Sequence, residues 1–168
     1  MSMQICVLAD SQLGSIAEWQ EAIDAEKLPL RLSDPEPDRN LGARLNEEET
    51  SIEYGIYDFN ELKNTYPHVR FGHDWKFVIA FTWSSDVAQG IASWMAATAY
   101  AHAAGGIVFD EQEGTLLTTD KSLQVARDME QYRPEMEAAL RNYVQGLPAK
   151  SPEAEAALRN FKHRVLRS

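Results

Sequence analysis

The sequence contains a single cysteine, Cys6, among its 168 residues. One cysteine cannot form an intramolecular disulfide, and it leaves too few thiolates for a cysteine-rich zinc site. The neighbouring Ile5, Val7 and Leu8 predict a buried strand, in which Cys6 serves as a small apolar side chain. The N-terminal residues show neither a basic region nor a cleavage signal, so we expect a cytoplasmic protein.

Long apolar segments and catalytic motifs are also missing. The longest uncharged stretch, residues 87–104, is rich in alanine and includes Gln89, Ser93 and His102, which favours a buried helix over a membrane span. No glycine-rich nucleotide-binding loop, nucleophile elbow or zinc-protease motif occurs. These absences predict a protein that is not an enzyme and that holds no cofactor or metal ion.

Basic residues are scarce relative to acidic ones, 16 against 26, and the net charge is −10. The imbalance lies in residues 1–118, which carry 19 acidic and 7 basic residues, whereas residues 119–168 carry 7 and 9. An acidic surface repels phosphate backbones, so the charge argues against nucleic-acid binding. It favours a basic protein partner, because opposite electrostatic fields accelerate encounter.

The pattern of apolar residues predicts the fold. Residues 3–9 and 76–83 are apolar runs typical of buried strands, and each precedes a capping motif and a helix. Trp19 and Trp94 occupy equivalent places in these two helices. The repetition predicts an α+β two-layer sandwich, whose mixed sheet is built from two βαβ-like halves in a ferredoxin-like or related arrangement, followed by C-terminal helices.

Residues 119–168 show helical periodicity. Pro134 interrupts it and predicts two helices or one kinked helix, and Ser151 with Pro152 begins a further helix. We expect one domain over residues 1–168, with the sandwich in residues 1–118. The C-terminal helices are compatible with a homo-oligomer.

The most acidic segment is residues 34–61, with nine acidic residues and two arginines. It precedes an aromatic-rich loop at residues 66–75, which we expect to be exposed. Carboxylates steer association, and aromatic side chains supply much of the binding energy of interfaces. The predicted partner-binding residues are therefore Glu47, Glu48, Glu49, Glu53, Asp58, Glu61, Tyr66, Phe71 and Trp75. The structural alternative is a solubilising segment followed by aromatic residues of the core.

A second hypothesis is a small enzyme or ligand-binding domain with a pocket between the sheet and the helices. Asp10 follows a predicted strand, where α/β proteins often place functional carboxylates. His102 and Asp110 would supply the other polar groups. Turn formation explains the two aspartates without any chemistry, and a structural hydrogen bond explains His102. This hypothesis requires the three side chains to converge.

Residues 97–114 read Ala-Thr-Ala-Tyr-Ala-His-Ala-Ala-Gly-Gly-Ile-Val-Phe-Asp-Glu-Gln-Glu-Gly, a predicted helix that ends at two glycines and leads into a hairpin. The segment resembles the helix-to-hairpin junction of small acidic α+β proteins of bacteria, some of which are similar to immunity proteins that neutralise a cognate toxin. The resemblance is confined to these residues and carries no catalytic group. It implies an inhibitor that binds a basic partner, such as a bacterial toxin.

Overall fold

A computed structural model of the protein describes residues 2–35 and 40–144. Within these ranges the strands are β1 Met3–Ala9, β2 Leu30–Pro35, β3 Asn40–Leu45, β4 Glu48–Tyr57, β5 Phe77–Trp83, β6 Ile107–Asp110 and β7 Thr115–Leu117. The helices are α1 Ile16–Ala25, α2 Phe59–Thr65, α3 Val87–Ala103, α4 Thr119–Gln131 and α5 Arg133–Val144. The predicted α+β class is confirmed. None of these helices is both long and apolar enough to cross a membrane.

The strands form one sheet in the order β2-β3-β4-β5-β1-β6-β7. Every neighbouring pair is antiparallel, so the expected mixed sheet is corrected to an antiparallel one. The reason is that the strands joined through α1 or α3 run in the same direction without being neighbours. Strands β3, β4 and β5 separate β2 from β1, and β1 lies between β5 and β6, whereas β4 and β5, joined through α2, pair antiparallel. The central strands β4-β5-β1-β6, with α1 and α3, show the split βαβ arrangement of ferredoxin-like folds.

The acidic segment is more regular than its composition suggests. Strand β3, absent from the sequence-based prediction, buries Leu41, Ala43 and Leu45 on alternate positions. Strand β4 begins at Glu48, inside the acidic run. The turn between them is made possible by Asn46, whose φ of 55° lies in the left-handed region that asparagine tolerates. Glu48, Glu49 and Glu53 therefore belong to this strand, where cross-strand neighbours limit what they can contact.

One face of the sheet, the helical face, is covered by α1, α3 and α4. Helix α3 is buried almost throughout, because it lies against the sheet, α1 and α4 together. Its alanines allow this close packing, and Asp86 caps its first turn by accepting a hydrogen bond from the Gln89 amide at 3.1 Å. The Trp19 indole donates to the Ala96 carbonyl at 2.9 Å, which fixes α1 on α3.

The other face, the loop face, carries a smaller apolar cluster. Helix α2 and the loop that follows it cover the central and β6 side of this face. The buried members of the cluster are Cys6, Leu8, Phe59, Leu62, Phe71, Val78, Ala80 and Phe109. The strands β2 and β3 contribute no residue to this cluster, so the cover on the loop face is partial.

The C-terminal helices extend the helical face. The helical segment is interrupted between α4 and α5 beside Pro134, as the sequence predicts. Val125, Ala126 and Met129 of α4 belong to the same core as the sheet, and Met136 of α5 packs against it. The further helix predicted from Ser151 lies outside the described residues.

Candidate functional site

The predicted acidic residues lie along β4 and the start of α2. Glu47 is exposed in the turn before β4, and Glu48 forms an ion pair with Arg133 of α5. Glu49 lies opposite Arg44 in the register of β3 and β4. Glu53 is exposed farther along the same strand. The acidic run is therefore divided between residues with cationic neighbours and residues without them.

The two remaining acidic candidates belong to α2. The Asp58 carboxylate caps this helix by accepting hydrogen bonds from the amides of Asn60 at 2.6 Å and Glu61 at 3.3 Å. Asp58 and Glu61 both remain exposed. Capping explains why the chain places Asp58 there, and it leaves the outer carboxylate oxygen accessible.

The aromatic loop is less exposed than expected, and the expectation is wrong for Phe71. This side chain is only 7% exposed and packs edge-to-face on Phe59 and Phe109, at ring distances of 5.4 and 5.2 Å. Tyr66 and Trp75 are half-buried. The loop residues bury these rings because β1, β5 and β6 would otherwise present apolar side chains to water. Phe71 therefore cannot act as a surface anchor.

The exposed apolar residues are ones that the sequence reasoning missed. Within the described ranges the exposed large hydrophobic residues are Ile56, at 64%, and Tyr57, at 51%. Ile56 alternates with Ile52 and Tyr54 along β4, a pattern that predicts the buried face, but the helices cover that face only as far as Tyr54, which contacts Trp19. Tyr57 was passed over because it precedes a capping aspartate, a position that gives no signal of exposure.

Tyr57 is held in place by a glycine. A Cβ atom on Gly55 would lie 3.2 Å from the Tyr57 ring, so the ring lies back over the Gly55 backbone. A ring that is supported on one side and open to water on the other loses little conformational freedom when a partner covers it. Residues 53–61, called here the β4–α2 junction, thus combine a supported aromatic ring with exposed carboxylates.

One cleft adjoins this junction, and a second cleft shares Lys63 and Asp74 with the first. One, of about 330 Å³, is lined by Tyr57, Asp58, Phe59, Asn60, Lys63, Asp74, Trp75 and Lys76. The other, of about 430 Å³, is lined by Lys63, Tyr66, Pro67, Val69, Phe71, Gly72, His73 and Asp74. The structure thus brings four predicted residues, Asp58, Tyr66, Phe71 and Trp75, to neighbouring clefts, whereas the glutamates of the β3–β4 turn lie elsewhere.

An ion pair separates the two clefts. Lys63 donates to the Asp74 carboxylate at 2.9 Å, and its ammonium group lies 4.9 Å from the centre of the Phe59 ring. The hydrogen bond from Lys63 lowers the pKa of Asp74 below its usual range. Both partners of this pair reach water, so it contributes little to stability.

Asp10 fastens the end of the aromatic loop to β1. Its carboxylate contacts the His73 ring nitrogen at 2.7 Å and accepts a hydrogen bond from the Lys76 amide at 3.2 Å. Partial desolvation opposes ionisation of Asp10, but the bonds from His73 and Lys76 outweigh it and lower the pKa of Asp10. The His73 ring in turn packs edge-to-face on Trp75. This arrangement positions the loop.

The three polar groups of the enzyme hypothesis do not converge. Asp10 contacts His73, whereas the His102 ring contacts the Glu26 carboxylate. Asp110 is buried and accepts a hydrogen bond from the Gln112 amide within its own turn, and burial raises the pKa of its carboxyl group. Asp110 also lies opposite Ile5 in β1, at the other end of that strand from Asp10. No common pocket is formed by these side chains.

The most connected polar cluster is centred on Glu111, which sequence reasoning did not single out. Its carboxylate accepts hydrogen bonds from Cys6 at 3.0 Å, Gln4 at 2.9 Å and the Tyr66 hydroxyl at 3.0 Å. Burial and the Glu111 charge raise the pKa of the Cys6 thiol, and burial and the hydrogen bond to Glu111 raise the pKa of Tyr66 to about 12. A thiol held in its protonated form is a poor nucleophile. The hydrogen bonds of the cluster join the loop to the sheet.

Among residues 2–35 and 40–144, no three histidine, cysteine, aspartate or glutamate side chains are placed so that they could hold a metal ion. Comparisons of the chain with protein-family models, with curated proteins and with solved structures give no match.

Proposed function

We propose that this protein is a binding module of the immunity or inhibitor type, which neutralises a basic protein partner such as a bacterial toxin. The observation that carries the proposal is the composition of the β4–α2 junction. The exposed ring of Tyr57 belongs to the same short segment as the exposed carboxylates of Glu53, Asp58 and Glu61. An aromatic centre with a charged rim is the usual anatomy of a protein interface.

The carboxylates of the junction are free to meet a cationic surface. Within the described part of the chain, Glu53, Asp58 and Glu61 make no ion pair, whereas Glu48 is already paired with Arg133. Charges at the rim of an interface mainly raise the association rate, because they steer the partners before contact. This division suggests that Glu53, Asp58 and Glu61 contribute more to steering than Glu48 does.

Binding energy is expected to come from Tyr57. Tyrosine is enriched among the residues that dominate binding energy, and the support from Gly55 reduces the entropy that Tyr57 would lose on binding. Trp75 lines the adjoining cleft and could be covered by the same partner. The proposed contact thus moves the aromatic centre from Phe71, which is buried, to Tyr57.

The test compares four baits in a lysate of the source organism at low salt. The baits are the wild-type protein, Tyr57→Ala, the double variant Glu53→Lys/Glu61→Lys, and Glu21→Lys. Glu21 is exposed on α1, on the helical face, and makes no ion pair in the described part of the chain, so its reversal controls for net charge. We expect one basic protein to be retained by the wild-type protein and by Glu21→Lys.

The retained protein is then purified and its binding is measured directly. Tyr57→Ala is expected to lower the affinity by about thirtyfold, mainly through faster dissociation. The double charge reversal is expected to lower the association rate by about tenfold and to weaken its salt dependence. Equal binding by all four baits, or an equal loss for Glu21→Lys, would exclude the β4–α2 junction as the binding surface.

A further inference from the structure

Strands β2 and β3 place two arginines side by side in a chain whose net charge is −10. Arg31 lies directly opposite Arg44 in the antiparallel register. Like charges at directly opposed positions of a sheet destabilise the strand pair. Both side chains are exposed, and neither is needed to complete a turn or a cap. The pairing of the two arginines therefore lowers the stability of the sheet, and no structural role in the fold explains it.

Neighbouring carboxylates neutralise this pair only in part. The Arg31 guanidinium is 3.9 Å from Asp24, whose carboxylate also accepts a hydrogen bond from Gln20 at 3.0 Å. Glu49 is the neighbour of Arg44 on β4, yet these two form no ion pair. Within the described residues the Arg44 side chain makes neither an ion pair nor a hydrogen bond. Its guanidinium donors are available to an external acceptor.

Both arginines line one cleft of about 420 Å³. The other residues that line it are Asp24, Leu28, Pro29, Leu30, Asn46 and Glu47. Leu28 and Leu30 are buried core residues, so they give the cleft a fixed apolar wall. The Asn46 side chain donates a hydrogen bond to Glu130 at 2.8 Å, which ties this end of the hairpin to α4. The cleft is thus built on ordered elements.

We propose that Arg31 and Arg44 form a binding site for a compact oxyanion, a carboxylate or a phosphoryl group. The planar guanidinium group offers paired donors that match the two oxygens of either group. An anion between the two arginines would remove their mutual repulsion. Asp24 and Glu47 border the same cleft and repel extended polyanions, which restricts the ligand to a small anion.

The test uses inorganic phosphate and succinate as probes of the two classes. Binding to the full-length protein is followed by nuclear magnetic resonance of the arginine side-chain nitrogens and by calorimetry. The variants are Arg44→Gln and Arg31→Gln, and the control is Arg70→Gln, an exposed arginine of the aromatic loop. For the wild-type protein we expect saturable binding of one probe, with a dissociation constant on the order of 1 mM.

Arg44→Gln is expected to weaken this binding by about tenfold or more, since a hydrogen bond to a charged group is lost. Arg31→Gln is expected to act in the same direction, and Arg70→Gln to have no effect. Saturable binding of phosphate alone identifies a phosphoryl ligand, and saturable binding of succinate alone identifies a carboxylate ligand.

A second readout does not depend on the probes. Without added anion, Arg44→Gln is expected to be at least as stable as the wild-type protein, because it removes a like-charge pair. The proposal is overturned if neither probe saturates, if Arg70→Gln weakens binding as much as Arg44→Gln, or if Arg44→Gln clearly destabilises the anion-free protein. These outcomes are independent of the β4–α2 junction, which the variants leave intact.

Discussion

The two faces of the sheet are built differently. The helical face is sealed by α1, α3 and α4, and its core is almost wholly apolar. On the loop face, one short helix and a loop cover only part of the sheet. The Glu111 carboxylate accepts a hydrogen bond from Tyr66 and so joins this loop to the sheet. The comparison teaches that the helical face specifies the fold, whereas the loop face leaves polar groups and open sheet surface available for binding.

The largest expected loss of stability distinguishes the apolar core of the helical face from the smaller cluster of the loop face. Phe81 is fully buried on the helical face, and Phe71 is 7% exposed in the smaller cluster on the loop face. Phe81→Ala is expected to lower the free energy of unfolding by about 4 kcal/mol, and Phe71→Ala by about 2 kcal/mol, because a thin layer can collapse into the space. Urea denaturation measures both. Equal losses would show that the two layers are equally rigid.

The next largest loss of stability is expected at Gly106, where the chain that follows α3 passes close to β1. A Cβ atom on Gly106 would overlap the backbone oxygen of Leu8, which cannot move without disturbing the sheet. Gly106→Ala is therefore expected to cost about 3 kcal/mol. Its matched control is Gly105→Ala, where nothing lies within 4 Å and only the φ of +67° opposes a side chain. That variant should cost about 1 kcal/mol in the same thermal or urea unfolding measurement.

The Glu111 cluster on the loop face predicts that the free energy of unfolding falls at alkaline pH. The pKa of Tyr66 is raised to about 12, so the folded state retains a proton that the unfolded chain releases at about pH 10. This contribution to stability is complete below about pH 10 and is lost as the pH rises through about 12. Tyr66→Phe should therefore show a shallower loss of stability with rising pH.

Urea unfolding between about pH 8 and pH 11 measures that slope. At neutral pH, Tyr66→Phe is expected to lose about 1.5 kcal/mol, since a hydrogen bond to a charged acceptor is removed. Tyr57→Phe is the matched control, because the Tyr57 hydroxyl makes no hydrogen bond within the described residues. An unchanged slope in Tyr66→Phe would mean that the bond between Tyr66 and Glu111 does not control the alkaline transition.

The smallest effect concerns the surface of the loop face. Lys63→Gln removes the ion pair with Asp74, whose carboxylate is largely exposed. We expect a loss of about 0.5 kcal/mol or less, which increasing salt should diminish further. A loss well above 1 kcal/mol in urea unfolding would instead indicate that Lys63 is required to hold α2 against the loop.

Local patterns in the sequence predicted much of the helical face. The cap formed by Asp86, the alanine-rich helix that follows it and the break beside Pro134 all occur as expected. These features depend on neighbouring residues, so a sequence reading captures them. Strand β3 was missed although Leu41, Ala43 and Leu45 alternate with Gly42 and Arg44, because this pattern is short and follows a proline-rich segment that reads as a loop.

The candidate site was predicted only in part. The acidic character of the β4–α2 junction was visible in the sequence, but the exposure of Tyr57 and the burial of Phe71 were not. Both properties depend on where the helices and the loop cover the sheet. That coverage is set by contacts between residues far apart in the chain. The Glu111 cluster was equally invisible, since Cys6 and Glu111 are separated by 105 positions.

By itself, the sequence determined the α+β class, the main helices and strands and the acidic balance, because periodicity, capping and composition are local properties. Only the tertiary structure decided that the sheet is antiparallel, that Phe71 is buried while Tyr57 is exposed, and that Arg31 meets Arg44. The physical reason is that strand order and burial follow from the packing of the whole chain, in which each side chain finds neighbours that its sequence position does not reveal.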